Sequence, residues 1–185
     1  MVEATREASP RHKARLAGVL YVVSVLTAVF AEAFVRSRLL FAVGLVPVLC
    51  FMVVTLLLYD LFKPVSRSLS FLATFFNLVG LAFEAVELQL PGDVNGALIF
   101  HGLYCIVIGY LVFGSGFLPR ILGVLMALAG LGWLASLPFA HSLQPYNQVI
   151  GFVGEGSLML WLLAAGVNVP RWEMRAAEPR PPVRA

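Results

Sequence analysis

Residues 39–62 have the sequence LLFAVGLVPVLCFMVVTLLLYDLF, in which Asp60 alone is charged. A helix of about 20 mainly apolar residues is long enough to cross roughly 30 Å of bilayer hydrocarbon. The apolar residues run continuously and do not alternate with a period of two, which argues against a strand of a membrane barrel. This stretch therefore predicts a transmembrane helix.

The whole chain shares this apolar character. Of its 185 residues, 60% are apolar and 12% are charged, and the mean hydropathy is +0.90. Soluble domains are about half apolar and a quarter charged, and a domain of this size cannot bury so much apolar surface. The composition excludes a cytosolic enzyme, a nucleic-acid-binding module and a disordered regulator. We expect the lipid bilayer to be the main partner of the surface.

Five further runs resemble the first, and the loops between the runs are too short to form a soluble domain. We predict an all-α bundle of six transmembrane helices at 16–168, between an N-terminal basic tail at 1–15 and a Pro/Arg-rich tail at 169–185. The six predicted spans are 16–35, 39–62, 69–90, 97–117, 121–139 and 149–168.

The lysine and arginine residues lie mostly on one side of this predicted bundle. If six helices alternate in direction, eleven of the 13 fall on the side of the termini, and Arg36 and Arg38 fall on the other. Cytoplasmic loops are enriched in these residues. We therefore predict that both termini are cytoplasmic. The net charge of +3 then reflects orientation and contact with anionic lipid, and no nucleic-acid partner is expected.

The first span has an alternative interpretation. A basic stretch, an apolar run and Ala31-Glu32-Ala33 together resemble a signal peptide with its cleavage site. Because apolar residues continue beyond that site, we expect a membrane helix instead.

Proline and small residues predict how the helices end and pack. Pro64 and Pro170 each follow a span and should end it, whereas Pro47 lies within the second span and should kink it. The fifth span has small residues spaced by four, which allow another helix to approach closely. These pairs are Gly123 with Ala127 and Gly132 with Ser136. The three tryptophans are expected to provide apolar mass or interfacial anchors; they are Trp133, Trp161 and Trp172.

Ionisable residues within the spans are the main functional signal. A carboxylate in the bilayer centre costs on the order of 2.5–3.5 kcal/mol on insertion scales, so such groups usually face the protein interior. Given the alternating helix directions, all of these residues fall in the outer third of the bundle. We predict a ligand-binding or proton-linked polar cluster there. Its members are Glu32, Glu84, Glu87, His101 and Glu155, with Arg36 as an ion-pair partner four residues after Glu32.

The neighbours of these residues follow helical spacing, which predicts inward-facing polar stripes. For Glu32 and Glu87 the alternative is a position at the membrane interface, and for His101 it is a hydrogen-bonded buried imidazole. The stripes are Ser24, Ala28 and Glu32 on span one, Asn77, Gly80, Glu84 and Glu87 on span three, and His101, Tyr104 and Cys105 on span four. Glu155 lies between Gly154 and Gly156, so no bulky neighbour shields it.

Three chemistries could use such a cluster. Clustered carboxylates suit a proton-linked carrier, carboxylates with an imidazole can bind a divalent metal, and Arg36, Arg38 and His101 could hold an anionic group. No paired-histidine or Glu-x-x-His spacing is present, so we assign no metal site, no cofactor and no catalytic residue. Cys50 and Cys105 are expected to be buried, unpaired thiols.

Gly-Phe-Leu-Pro-Arg at 116–120 forms the turn into the fifth span. Together with further stretches, it resembles a bacterial membrane family catalogued as domain of unknown function 4386. The resemblance implies a six-helix inner-membrane protein without assigned activity, in which Glu32, His101 and Glu155 match positions of similar residues. The first outer loop and the segment at 90–97 are shorter than in that family. The further stretches lie at 14–21, 30–37, 61–65, 109–111, 121–125, 129–132, 154–155, 160–163 and 166–170.

Three functions follow as hypotheses. The first is a non-enzymatic, multi-pass protein of the bacterial plasma membrane that binds or carries a small solute or lipid in an outer-leaflet polar pocket. The second is a structural or accessory subunit whose glutamates pair with a membrane-protein partner or a second copy, through spans five and six. The third is an intramembrane metal-dependent enzyme.

Overall fold

A computed structural model describes the backbone of residues 9–34, 39–88, 96–135 and 140–178, and the side chains of 9–31, 43–88, 96–135, 149 and 151–178. These ranges contain helices and no strand. The helices are α1 (Pro10–Phe34), α2 (Leu39–Phe62), α3 (Arg67–Glu87), α4 (Gly96–Ser115), α5 (Arg120–Ala135), α6 (Ala140–Ala164) and α7 (Val169–Ala177).

The long helices have the length and composition of membrane spans. Four of them, α1 to α4, are long and apolar enough to cross a bilayer, and a fifth span results if 151–164 and α7 count as one broken span. At 16 residues, α5 is about 24 Å long, shorter than the hydrocarbon core. The all-helical fold is confirmed for the described residues, the long apolar helices suggest a multi-pass membrane protein, and the count of six spans stays a prediction.

The first six helices form a closed ring. Each packs against the helices next to it in the chain, and α6 returns to pack against α1. Apolar side chains on the outer surface are strongly exposed, including Phe71 at 64% and Leu26 at 63%. Such a surface fits contact with lipid tails. The ring interior holds the largest buried side chains, among them Tyr104, Phe62 and Leu58.

Glycines allow the closest helix contact, between α4 and α5. A Cβ atom added to Gly123 would lie 2.6 Å from the carbonyl oxygen of Gly109, and one added to Gly102 would lie 3.0 Å from that of Gly130. The prediction of a close approach is confirmed at Gly123 with Ala127, which contacts Gly109. Beyond them the contact continues through Gly130, which faces Gly102 and Ile106 of α4. Ser136 lies outside the described residues.

The basic end of the bundle is the end at which α1, α3 and α5 begin and α2, α4 and α6 finish. Asp60 accepts a hydrogen bond from Lys13 at 2.8 Å and from Lys63 at 3.1 Å, which joins α1 to α2. Pro64 follows α2, as predicted, and Ser66 then caps α3. Higher in the bundle Pro47 lies inside α2, and its carbonyl oxygen accepts a hydrogen bond from Ser24 of α1 at 3.0 Å.

Helix α7 corrects one prediction, since Pro170 begins a helix instead of ending one. The preceding helix ends at Ala164, and Gly166 follows with a φ of 69°. Asn168 then accepts a hydrogen bond from the backbone of Arg171 as the N-cap. Proline suits the first turn of a helix because its missing N–H would have no helical partner there. Residues 169–177 of the predicted tail are therefore helical, at 100° to the end of α6.

Candidate functional site

The carboxylate of Glu155 on α6 is the centre of the polar contacts inside the ring. Its Oε2 accepts a hydrogen bond from the hydroxyl of Tyr21 at 2.5 Å. Its Oε1 accepts one from the indole N–H of Trp133 at 3.0 Å and lies 3.0 Å from Nε2 of His101. We call these four residues, which come from α1, α4, α5 and α6, the Glu155 cluster.

The local helix packing positions these side chains. Gly151 lies one turn before Glu155 and directly under the ring of Trp133, where a Cβ atom would overlap the indole. At Gly154, a Cβ atom would lie 2.6 Å from the carbonyl oxygen of Leu125, so α6 contacts the α5 backbone there. Gly156, by contrast, faces open space. Gly154 therefore sets the distance between α6 and α5, whereas a Cβ atom at Gly156 would meet nothing within 4 Å.

Aromatic rings surround the imidazole of His101. The ring centroids of Phe51, Tyr104 and Trp133 lie 6.0, 5.9 and 5.9 Å from that of His101. The faces and edges of these rings exclude water from the imidazole and favour a positive charge near their faces. The cluster therefore combines one carboxylate, one imidazole and an aromatic wall.

The cluster is buried but not closed. Of the side-chain surface, 14% is accessible at Glu155 and 24% at His101. A carboxylate offers about four acceptor positions, and Glu155 uses them for Tyr21, Trp133, His101 and also the thiol of Cys105. A further donor that enters the ring would reach Glu155 at its accessible surface.

A metal-binding set lies within the same region. The ligand atoms of His101, Cys105 and Glu155 all lie within 4.8 Å of one another. Cys105 is one helical turn after His101 on α4 and is fully buried. Cys50 and Cys105 are both free thiols, as predicted, but Cys50 is half-buried and only Cys105 has the predicted full burial. Nitrogen, sulfur and oxygen donors together suit a divalent transition metal.

Of the predicted cluster, the structure brings His101 and Glu155 together. Glu84 is exposed on the surface of α3, close enough to His101 for an electrostatic attraction. Glu87 is half-buried, and its Oε1 has no hydrogen-bond partner among the described residues. The side chain of Glu32 and the whole of Arg36 and Arg38 lie outside the described residues.

The predicted inward stripe on α3 is wrong at Glu84. Asn77 and Gly80 are buried, and the Asn77 amide donates a hydrogen bond to the hydroxyl of Thr55 on α2. Beyond them, towards its C-terminal end, the same face of α3 is exposed at Glu84. Glu84 is thus exposed on α3, although it stays close enough to His101 for an electrostatic attraction.

The depth of Glu155 also differs from the prediction. Its helix begins at Ala140 rather than at residue 149, so Glu155 lies past the helix midpoint and Tyr21 lies near the midpoint of α1. His101 lies near the N-terminal end of the shorter α4, and Trp133 lies near the C-terminal end of the shorter α5. Both of these helix ends are opposite the basic end of the bundle. The Glu155 cluster therefore reaches from the outer part of the bundle to its middle.

Sequence reasoning missed two members of the cluster. Tyr21 lies three residues before Ser24, so it continues the predicted polar stripe of Ser24, Ala28 and Glu32 on the same helix face. Trp133, interpreted as apolar mass or an anchor, follows the buried Gly130 by three residues. Helical spacing from a known inward residue could have identified both.

Comparisons with known proteins show similarity to one protein family and to one archaeal protein. Residues 93–166 match the family described as "Domain of unknown function (DUF4386)". An "Uncharacterized protein" of Archaeoglobus fulgidus is 31% identical over 123 residues, which are 61% of this chain and 75% of that protein. No solved structure matches the chain. The matched region contains His101, Trp133 and Glu155, which are three of the four cluster residues.

Proposed function

The chain belongs to the family described as domain of unknown function (DUF4386). Since that description names no activity, we propose a function from the geometry of the Glu155 cluster. The proposed function is a multi-pass protein of the bacterial inner membrane, with six spans and cytoplasmic termini, that binds or carries a small solute or a lipid. The ligand is a molecule whose polar group donates hydrogen bonds or carries positive charge. It enters the ring beside Glu155 and His101.

The observation that carries this proposal is the three-way contact of Glu155 with Tyr21, His101 and Trp133. A carboxylate in an apolar bundle is expensive to bury, so it is usually retained for a functional or structural reason. Here 14% of the side-chain surface of Glu155 is accessible. A donor group could therefore reach the carboxylate at this surface.

The aromatic wall supports the choice of ligand. When the imidazole of His101 is neutral, the site has a net negative charge beside Phe51, Tyr104 and Trp133. A carboxylate combined with aromatic rings attracts cationic groups. Protonation of His101 would neutralise Glu155 and weaken this attraction. Binding of a cation would therefore compete with binding of a proton, as a proton-linked carrier requires.

A ligand-retention experiment tests this function. The full chain is purified in mild detergent, its bound small molecules are extracted and identified by mass spectrometry, and Glu155→Gln is treated in parallel. Glu173→Gln on the exposed face of α7 is the matched control. We expect a compound that is retained by the wild type and by the control and lost from Glu155→Gln. The same compounds from all three proteins, or none from any, would contradict a binding function.

A metal ion is a second candidate ligand, favoured by the donor set of His101, Cys105 and Glu155. With thiolate, carboxylate and neutral imidazole, this set would carry two negative charges and neutralise a divalent ion inside the bundle. Zinc-ligand distances are about 2.0–2.3 Å, so the widest of the three separations must shorten by about 1 Å.

Cobalt binding tests the metal. Thiolate coordination of Co²⁺ gives a charge-transfer absorption band, so titration of the purified chain should produce one at a single equivalent. Cys105→Ser should remove the band, and Cys50→Ser on α2 should leave it unchanged. A band that is absent, or that depends equally on both cysteines, would exclude this site.

The structural-subunit function is favoured by a single observation, the exposed carboxylate of Glu84 on α3. An interface on α5 has less support, because Gly123 and Gly130 already pack against α4. If a partner binds at α3, Glu84→Gln should release a protein that co-purifies with the wild type. The same protein retained by Glu84→Gln would count against this function.

A further inference from the structure

A cavity lies at the basic end of the bundle. It is a cleft of about 570 Å³ between the turn that follows α4 and the segment that joins α6 to α7. Arg11 of α1, Arg171 of α7 and Trp161 of α6 contribute side chains to its wall. No member of the Glu155 cluster lines it.

The charge of this cleft is entirely positive. Arg11 and Arg171 are its ionisable lining residues, and no carboxylate lines it. Some basic residues at this end pair with a carboxylate, since Lys13 and Lys63 contact Asp60 and Arg175 contacts Glu178. Within the described part of the chain, neither cleft arginine has such a partner. The cleft thus holds two positive charges that no carboxylate of the described residues neutralises.

The backbone around the cleft binds Arg171 and leaves room for Arg11. Nη1 of Arg171 donates a hydrogen bond to the carbonyl oxygen of Gly116 at 3.2 Å, which leaves its other N–H groups available. Gly116 and Gly166 have φ angles of 73° and 69°, a conformation that glycine adopts readily. At Gly166 a Cβ atom would lie 3.2 Å from Cγ of Arg11, so this glycine also leaves room for that side chain.

The orientation of α7 supports a position of this cleft at the depth of lipid headgroups. The helix turns away from α6 by 100°, so it lies across the end of the bundle. The indole N–H of Trp172 fixes it there by donating to the carbonyl oxygen of Leu61 at 2.9 Å. Met174 on α7 is 63% exposed, and Trp161 beside the cleft is 40% exposed. Short amphipathic helices with aromatic neighbours are typical of the membrane interface.

We propose that this cleft binds the phosphate of an anionic phospholipid headgroup between Arg11 and Arg171. A guanidinium group binds phosphate oxygens through charge-assisted and often paired hydrogen bonds. The ligand chemistry alone would also fit a free phosphate from the cytoplasm. A lipid is the better fit, because Trp161 and the exposed Leu160 of α6 provide apolar surface for an acyl chain beside the cleft.

The test is lipid binding to the purified full chain in detergent, followed by native mass spectrometry. The probes are phosphatidylglycerol and the zwitterionic phosphatidylcholine, with inorganic phosphate in a parallel thermal-shift titration. Arg11→Gln and Arg171→Gln are compared with Arg67→Gln, which removes an exposed arginine at the start of α3, outside the cleft. Melting temperatures of all variants show whether each one is folded.

We expect each cleft variant to bind phosphatidylglycerol about tenfold more weakly than the wild type, as the loss of one charge-assisted hydrogen bond predicts. Arg67→Gln should bind as the wild type does, and Arg171→Lys should retain most of the binding because it keeps the charge. Equal phosphatidylglycerol binding by wild type and cleft variants would overturn the site. Equal binding of phosphatidylcholine, or stabilisation by inorganic phosphate as strong as by the lipid, would overturn the anionic headgroup as its ligand.

Discussion

His101 on α4 and Glu155 on α6 lie 3.0 Å apart, from Nε2 to Oε1, although 54 residues separate them in the chain. The contact crosses the interior of a ring whose remaining contacts are mostly apolar. It therefore links two helices that are not neighbours in sequence, through a polar group that the bilayer would otherwise disfavour. The stability of the ring and its proposed function depend on the same carboxylate.

Replacement of Glu155 by glutamine should destabilise the protein. The amide nitrogen cannot accept a hydrogen bond, so at least one of Tyr21, His101 and Trp133 loses its acceptor. We expect the free energy of unfolding in detergent to fall by about 3 kcal/mol, as for a broken buried pair. Glu173→Gln, on the exposed part of α7, should change it by less than about 0.5 kcal/mol. Equal effects of the two substitutions would show that Glu155 is not held as described.

Removal of the Tyr21 hydroxyl should have a smaller effect of the same kind. Tyr21→Phe deletes one hydrogen bond to a charged acceptor, so the free energy of unfolding should fall by about 1.5–3 kcal/mol. Tyr110→Phe is the matched control, since Tyr110 is 66% exposed and should show little change.

A double-mutant cycle separates this hydrogen bond from general packing. In the Glu155→Gln background the loss caused by Tyr21→Phe should shrink by about 1 kcal/mol or more, because the charged acceptor is already absent. Strictly additive losses would mean that the hydroxyl stabilises the protein without Glu155.

The glycine contact between α4 and α5 predicts that one added methyl group at this contact lowers the stability of the protein. A Cβ atom at residue 123 would lie 2.6 Å from the carbonyl oxygen of Gly109, so Gly123→Ala must push the helices apart. We expect a loss of about 1–3 kcal/mol in stability, measured by thermal unfolding in detergent.

The control for this substitution is Gly156→Ala. Nothing lies within 4 Å of a Cβ atom at that position, and alanine is the better helix former by about 1 kcal/mol. Gly156→Ala should therefore leave stability unchanged or raise it. A protein that tolerates alanine equally at both positions would contradict the close packing of α4 and α5.

The ion pairs of Asp60 predict a weak, salt-dependent effect. Its carboxylate contacts Lys13 and Lys63, and these side chains are 20–39% exposed, so screening is substantial. Asp60→Asn should lower stability by about 1 kcal/mol or less at low salt. The difference in melting temperature from the wild type should narrow at high salt, and a constant difference would indicate hydrogen bonding without a charge contribution.

Much of the fold could be predicted because it depends on local composition. A long apolar run such as 39–62 predicts a helix without reference to the rest of the chain, and α2 has the predicted bounds. The positions of the helix ends are harder to predict from sequence. Helix α6 begins at Ala140 within a polar stretch, where apolar periodicity does not indicate a helix. The helix after Gly166 was missed because a proline one residue inside a helix resembles a proline that ends one.

The sequence by itself determined that the chain is helical and apolar enough for a membrane, because helix formation and hydrophobicity are properties of neighbouring residues. It also identified His101 and Glu155 as unusual, since an ionisable group in an apolar run is visible without a structure. Only the tertiary structure decided that Tyr21 and Trp133 bind that carboxylate and that Glu84 does not enter the ring. The side chains that meet inside a bundle are set by how each helix is rotated about its axis and by where it begins, and both follow from packing between segments distant in sequence.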